Sequence, residues 1–400
     1  MEHVLLISKD AMCTQYLPVY GGHYWAGKTP NIDELAQNGT VFRRHYTAAP
    51  STAMAFTAMC TGKYGHETGR QVYSRVENYN DLGGETLFDL MEQKGYRSHI
   101  IWSASYTAPL TKYANCFGRN TVLHDKLLFN QFVGPHLAIA GELQQDDAET
   151  ERVYAELIDE LDRIDRSEPV FLWVHFPHVF SGRTGYGQDI DIFDRFIGDA
   201  RKRFGDHIFI SADHGNNNFK NGKPSYGFDV FENAIRIPFI APRMEGLAEY
   251  DGLTSNTDLF DLIMNFKIPK HDYVLSDTAF YQQPKRQMAI ISGDYKFVYD
   301  KVTQRKALYD VIENPSEDFD LSRKVVHDPD RNKAMVVRQI AFYKDWEAAY
   351  AAFEKLDKIF GQLWKNGDPW VNRKLVIKGR IRRIGSNLKA KIKVLTRRKR

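Results

Sequence analysis

The sequence predicts an α/β protein: a core of alternating strands and helices, then a small antiparallel sheet. Three observations carry this. Short apolar runs, such as Val4-Leu5-Leu6-Ile7 and Val170-Phe171-Leu172-Trp173-Val174, alternate with segments of helical apolar spacing. Polar residues collect where the runs end, at Asp10, His175 and Asp213-His214, the edge where open α/β sheets carry their sites. Beyond about residue 270 the texture changes to short β-like runs separated by turns. With 400 residues, 43% hydrophobic and 26% charged, the chain exceeds one ordinary core and is too apolar to be largely disordered.

The elements follow in order. His3 to Ile7 reads as a buried strand delivering Asp10 at its C-terminal end. Thr29-Pro30-Asn31-Ile32-Asp33-Glu34-Leu35 is a helix start, with a polar cap, proline in the first turn and early acids. Pro50 to Gly62 is a loop entering a helix of small residues. Glu85 to Lys94 is an amphipathic helix, and Gly95 separates it from a strand at Arg97 to Trp102. Asp146 to Arg166 carries Val153, Leu157, Leu161 and Ile164 on one helical face and leads into the strand Val170 to His175. Ile190 to Phe204 is again helical, His207 to Ser211 again a strand, and Ile235 to Ile240 a further one. Met288 to Ser292 and Tyr295 to Tyr299 are strands of the small sheet, and the aromatic-rich Ala341 to Trp364 is helical. The expected division is a catalytic core at 1–268, a β subdomain at 269–325, a helical extension at 326–372 and a basic tail at 373–400.

Charge is unevenly spread. Residues 373–400 hold 13 of the 54 Lys and Arg and no acid, while the rest of the chain carries all 51 acids. Cys13, Cys60 and Cys116 lack the spacing of a disulfide framework or zinc knuckle, no apolar run approaches the roughly 20 residues of a membrane span, and no basic segment precedes Val4. These features predict a cytoplasmic protein.

Two carboxylates and an imidazole at strand ends, Asp10, Asp213 and His214, make a hard-to-borderline metal site suited to one Mn²⁺, Mg²⁺, Ca²⁺ or Zn²⁺. A hydroxyl at a helix start beside such a cation is activated to attack phosphorus, and backbone N–H groups there hold anionic oxygens. Each signal alone is weak, since an Asp at a strand end is more often a turn or cap residue.

Taken in order, the blocks Val4 to Asp10, Thr29 to Leu35, Pro50 to Gly69, Ile208 to Gly215, Phe231-Glu232-Asn233-Ala234-Ile235-Arg236-Ile237-Pro238 and Leu308-Tyr309-Asp310 to Asn314-Pro315 resemble the sulfatase family of the alkaline phosphatase superfamily. The resemblance runs from residue 3 to about 322. It implies an alkaline-phosphatase-like mixed sheet sandwiched by helices, with a small C-terminal antiparallel-sheet subdomain. Sulfatases carry a C/S-x-P-x-R motif whose first residue is oxidised to formylglycine. Aligning Thr61-Gly62 with the family's threonine-glycine puts Thr52 at that position, Met54 in place of the proline and Phe56 in place of the arginine. Ile101-Trp102-Ser103-Ala104-Ser105 stands where the family's G-K-W-H-L-G segment is expected. Threonine cannot give the formylglycine aldehyde, so sulfate ester hydrolysis is not the expected chemistry.

A threonine nucleophile is what the related lipoteichoic acid synthases and phosphoethanolamine transferases use. By position Asp10, Thr52, Asp213 and His214 match the four ligands of their single-metal site, although the first there is usually Glu. The resemblance implies a phosphotransferase that passes a phosphodiester head group, from a phospholipid or nucleotide-linked donor, through a phosphothreonine to a glycan or lipid-linked acceptor. The rivals are hydrolysis of phosphodiesters or phosphonate monoesters, sulfate ester hydrolysis, and a non-catalytic scaffold that binds no metal.

His175 and His178, in His175-Phe176-Pro177-His178, resemble the family's His-containing loop, which implies phosphoryl binding or proton transfer to the leaving group. The structural alternative is a packed pair of loop histidines. Lys223, Lys63 and Asn216 are candidate substrate contacts, against solvated lysines and a turn asparagine as the plainer readings. Cys60 is expected in the core, and Glu232 and Arg236 are expected to pair or brace their loop. In the tail, Ile377, Ile381, Ile384, Leu388, Ile392 and Leu395 form an apolar stripe flanked by cations, the pattern of a helix lying on an anionic membrane surface at the inner face. Nucleic-acid binding and a plain solvated tail compete with that reading.

Overall fold

The computed structural model describes residues 2–23, 27–68, 85–102, 117, 120–124, 147–176, 190–217, 226–227, 229–278, 287–301, 303–323, 325–326 and 343–364. His178, Lys223, Cys116 and the basic tail lie outside the described residues. The strands of the core are β1 (Val4–Lys9), β2 (Thr40–Tyr46), β3 (Arg97–Trp102), β4 (Val122–His124), β5 (Val170–Phe176), β6 (Ile208–Ala212), β7 (Arg236–Ala241) and β8 (Glu249–Ser255). The small sheet is β9 (Val274–Asp277), β10 (Gln287–Ser292), β11 (Tyr295–Asp300) and β12 (Arg305–Asp310). The helices include α1 (Pro30–Asn38), α2 (Thr52–Thr61), α3 (Leu87–Gln93), α4 (Asp147–Asp162), α5 (Ile190–Phe204), α6 (Glu232–Ile235) and α7 (Trp346–Trp364).

The eight-stranded sheet has the order β4-β3-β5-β1-β6-β7-β2-β8 and is mixed. β1 lies at its centre, parallel to β5 on one side and β6 on the other. Side-chain alternation along β1 explains the two covering layers. Leu5 and Ile7 join the cluster filled by α1, α4 and α5, whereas Val4 and Leu6 join the one filled by α2, α3 and the 259–268 segment. Both clusters are buried, so the sheet is the middle of a three-layer sandwich.

This topology places the site. β1, β5 and β6 are parallel neighbours, so Asp10, His175 and Asp213 emerge at one edge. β7 is antiparallel to β6, and β2 is antiparallel to β7. Two reversals restore the direction of β6, so β2 delivers the loop before α2, and with it Thr52, to the same edge.

Local signals explain the helix ends. α3 begins with a capping box in which Asp89 N donates to Thr86 Oγ1 and Thr86 N to Asp89 Oδ2. α2 stops at Gly62, whose φ of 65° is left-handed and whose N–H closes on Ala58 O at 2.8 Å. The cap of α1 differs from expectation. Thr29 makes no backbone cap; its hydroxyl donates to Asp33 Oδ1. Asp194 of α5 caps the helix instead, accepting from the N–H groups of Asn31 and Ile32.

The small sheet is antiparallel, in the order β12-β11-β10-β9. α7 packs Ala349, Leu356 and Phe360 onto Leu275, Ile290, Phe297 and Leu308 of that sheet. The helix starts at Trp346, later than the aromatic pattern suggested. No described helix is long and apolar enough to cross a membrane.

Candidate active site

Thr52 opens α2 and projects its hydroxyl to 3.1 Å from His214 Nε2. The opposite nitrogen, Nδ1, donates to the Gly215 carbonyl at 2.8 Å. That bond fixes the tautomer: Nδ1 carries the hydrogen and Nε2 offers a lone pair to Thr52 or to a cation. The Tyr226 ring covers the imidazole at 4.5 Å between centroids. Gly215 is required here, because a Cβ would lie 2.0 Å from Asn233 O. Its N–H bonds to Ala234 O, which ties the turn after β6 to α6.

Asp213 is fully buried. Its Oδ1 accepts from Ala11 N at 3.1 Å and His214 N at 2.7 Å. Its Oδ2 accepts no hydrogen bond among the described residues. It lies 3.4 Å from His214 Nε2 and 3.9 Å from His175 Nε2. Asp10 completes the group, with Oδ1 3.7 Å from His214 Nε2. One donor atom each from Asp10, His175 and Asp213 falls within 4.8 Å of the others. Two ionised carboxylates so close repel each other unless positive charge sits between them. A buried carboxylate oxygen without a donor, facing a second carboxylate and imidazole nitrogens, fits a divalent cation of the Mn²⁺, Mg²⁺, Ca²⁺ or Zn²⁺ kind.

Ala11 holds the geometry together. It is a non-glycine residue at φ 56°, an uncommon conformation that its surroundings must hold. Its N–H reaches Asp213, and its carbonyl accepts from Asn216 Nδ2 at 2.8 Å.

Among the expected site residues, Asp10, Thr52, His175, Asp213 and His214 come together. Asn216 has no exposed surface, and its amide donates to Ala11 O and Tyr16 OH. Lys63 lies just past the other end of ten-residue α2, about 15 Å along the helix from Thr52. Glu232 and Arg236 do not pair with each other. Glu232 meets the buried Lys296 at 3.0 Å, and Arg236 donates to Arg43 O. Lys296 also reaches Glu317 Oε1 at 2.5 Å and Val230 O at 2.8 Å, so the small sheet braces the segment that grips Gly215. His178 and Lys223 lie outside the described residues. Cys60 is buried in the core, as expected.

Sequence reasoning passed over Ser8, Trp173 and Tyr226. Ser8 left a signal, a polar residue continuing the apolar run of β1 on the Leu6 face. Trp173 and His175, two apart on a strand, share one face. Tyr226 left none.

The sulfatase family profile matches residues 2–266. Arylsulfatase D of Homo sapiens is 30% identical over 152 residues, 35% of this chain and 24% of that protein. N-acetylglucosamine-6-O-sulfatase of Bacteroides thetaiotaomicron is 28% identical over 101 residues, 25% of this chain and 17% of that protein. The matched stretch thus spans a quarter or less of the length of these curated relatives. Among solved structures, a 2-O GAG sulfatase superposes with a TM-score of 0.63 at 14% identity, covering 84% of this chain and 90% of that one. The phosphonate monoester hydrolase of Agrobacterium radiobacter superposes with a TM-score of 0.60 at 16% identity, covering 90% of this chain and 96% of that one. At such identities the superpositions speak to the fold, which is the sulfatase and alkaline-phosphatase-like architecture. With the profile matching from the first strand through the end of the core, the chain belongs to the sulfatase family.

Proposed function

We propose that the protein cleaves a phosphodiester or phosphonate monoester through a covalent intermediate on Thr52, with a divalent cation. The observation that carries this reading is the Thr52 Oγ1 to His214 Nε2 contact of 3.1 Å beside the buried carboxylate of Asp213 and the partly buried one of Asp10. Asp10, Asp213 and His214, with the Thr52 hydroxyl, are the residues that would hold the cation. When bound, such an ion supplies charge that favours the alkoxide and offsets the anionic phosphoryl oxygens. Ser51 leaves α2 without a side-chain cap, so first-turn N–H groups are left for those oxygens. Thr52 Oγ1 would release its proton to solvent and form a bond to phosphorus as the bond to the leaving oxygen breaks, and a proton would reach that oxygen from a histidine at 175 or 178. His175 and His178 are the candidates for supplying that proton. The methyl on the Thr52 β-carbon rules out an aldehyde, which argues against the formylglycine route to sulfate esters.

The second step needs an acceptor. Water gives a hydrolase, a reading favoured by the superposition on phosphonate monoester hydrolases. A hydroxyl of a glycan or lipid-linked saccharide gives a phosphotransferase, a reading favoured by the 13 basic residues of 373–400, which suit work at an anionic cytoplasmic membrane face. The test is intact-protein mass spectrometry after incubation with Mn²⁺ and a panel of phospholipid, nucleotide-linked and phosphonate donors. A mass gain equal to the phospho-group, absent from Thr52→Ala, supports the nucleophile and names the donor. Product analysis with and without a glycan then separates transfer from hydrolysis. Turnover by Thr52→Ala equal to that of the wild type would refute the reading.

A further inference from the structure

We propose that His175 is an additional ligand of the cation, and that Ser8 and Trp173 are positioning residues that aim its Nε2 at the carboxylates. The inference rests on the metal site of the proposed function and deepens it.

The three residues form a buried hydrogen-bonded chain. Trp173 Nε1 donates to Ser8 Oγ at 2.8 Å, and Ser8 Oγ lies 2.9 Å from His175 Nδ1. All three side chains share one sheet face, because Trp173 and His175 are two apart on β5 and Ser8 is register partner to His175. The indole N–H is a donor only. With one lone pair of Ser8 Oγ so occupied, the other can receive Nδ1–H from His175 in the tautomer whose Nε2 binds a cation. An imidazole protonated at Nδ1 offers its Nε2 lone pair, the form a metal ligand needs.

Nε2 of His175 lies 3.9 Å from Asp213 Oδ2, the oxygen that accepts no hydrogen bond among the described residues. That separation is too long for a hydrogen bond. It suits two donors on one cation, each at about 2.1 Å. Phe56 seals the arrangement. It lies flat on Trp173, with centroids 4.7 Å apart and planes 5° apart, and turns its edge to His175 at 4.6 Å. Phe56 holds the place where the sulfatase motif carries arginine.

The experiment is Mn²⁺ binding by the full chain. Calorimetric titration gives affinity, and electron spin echo modulation of bound Mn²⁺ counts coordinated imidazole nitrogens. The wild type is expected to show two imidazoles, His175→Ala one and His214→Asn one. Ser8→Ala and Trp173→Phe are expected to weaken Mn²⁺ binding by about 10- to 100-fold, the range for removing partners that orient a ligand. Circular dichroism establishes that each variant is folded, and the spectrum of the wild type decides the ligand count without any variant. One imidazole in the wild type and none in His214→Asn, or unchanged affinity in Ser8→Ala, overturns the inference while the metal site stands. A wild type that takes up no Mn²⁺, Mg²⁺, Ca²⁺ or Zn²⁺ overturns the site itself.

Discussion

Thr52 Oγ1 meets His214 Nε2 at 3.1 Å, while His214 Nδ1 is committed to the Gly215 carbonyl at 2.8 Å. The nucleophile candidate therefore faces an imidazole whose tautomer the backbone has chosen. Thr52→Ala removes the attacking oxygen and is expected to lower turnover of the best donor by about a thousandfold or more. Thr52→Ser keeps the oxygen and should retain turnover within about tenfold. Both variants should melt close to the wild type, because Thr52 is only partly buried. Steady-state kinetics with thermal melts checks all three statements.

Gly215→Ala tests how tightly the turn after β6 is built. The new methyl would stand 2.0 Å from Asn233 O, a backbone atom that cannot swing aside. The backbone must move, and His214 moves with it. A loss of about 1–3 kcal/mol is expected in urea unfolding, together with weaker Mn²⁺ binding. Wild-type values for both would mean that the turn adapts freely.

Lys296 is fully buried between Glu232 and Glu317, and its ammonium also donates to Val230 O. Burial alone would disfavour the charged form, but the two carboxylates raise its pKa above the usual lysine value. Lys296→Met leaves two buried carboxylates facing each other without a cation. The expected cost is about 3–5 kcal/mol. Adding Glu317→Gln should recover part of it, and a double-mutant cycle in urea measures how much.

Much of the site was legible because its carriers are short apolar runs with sharp polar ends. Val4 to Ile7, Val170 to Val174 and Ile208 to Ile210 are buried strands of one parallel group, and geometry alone brings their ends together. β2 was not legible. Arg43 and Arg44 interrupt its apolar pattern, and a register shift between Phe42 and His45 breaks its period. Arg43 leaves the core by pairing with Glu249 of β8, a partner 206 residues away. The surroundings of Lys63 and Asn216 were not legible either. Sequence proximity to a motif says nothing of which end of a helix a residue occupies, or whether its amide is already engaged. Ser8, Trp173 and His175 form one chain from residues up to 167 positions apart, which only strand register reveals.

Removing the cation should destabilise the protein through the same carboxylates. A ligand at about 100 times its Kd contributes roughly 2.7 kcal/mol to the native state. Chelation is therefore expected to lower Tm, and added Mn²⁺ to restore it. Asp213→Asn can keep its two backbone hydrogen bonds through Oδ1 while losing the charge that faces Asp10. Its melting point should no longer respond to Mn²⁺, and should equal or exceed that of the chelated wild type. A melting point that rises with Mn²⁺ as steeply as in the wild type would contradict the assignment of Asp213.

Acid should destabilise the fold through histidines buried in neutral form. His45 is fully buried, with Nδ1 2.9 Å from Thr254 Oγ1 and its ring stacked on Phe239. Burial lowers its pKa from 6.5 to about 3. Between those values the unfolded chain binds a proton that the native ring does not. Stability therefore falls as pH drops through 6.5 and continues to fall until about 3, where native His45 also protonates. The slope from one such group is at most about 1.4 kcal/mol per pH unit. His99, lowered to about 4 chiefly by burial and then by neighbouring His124, acts with the same sign over a narrower window. Urea midpoints measured at pH 7, 6, 5 and 4 should decline for the wild type and decline less steeply for His45→Gln. Parallel curves for the two proteins would show that His45 does not carry the acid sensitivity.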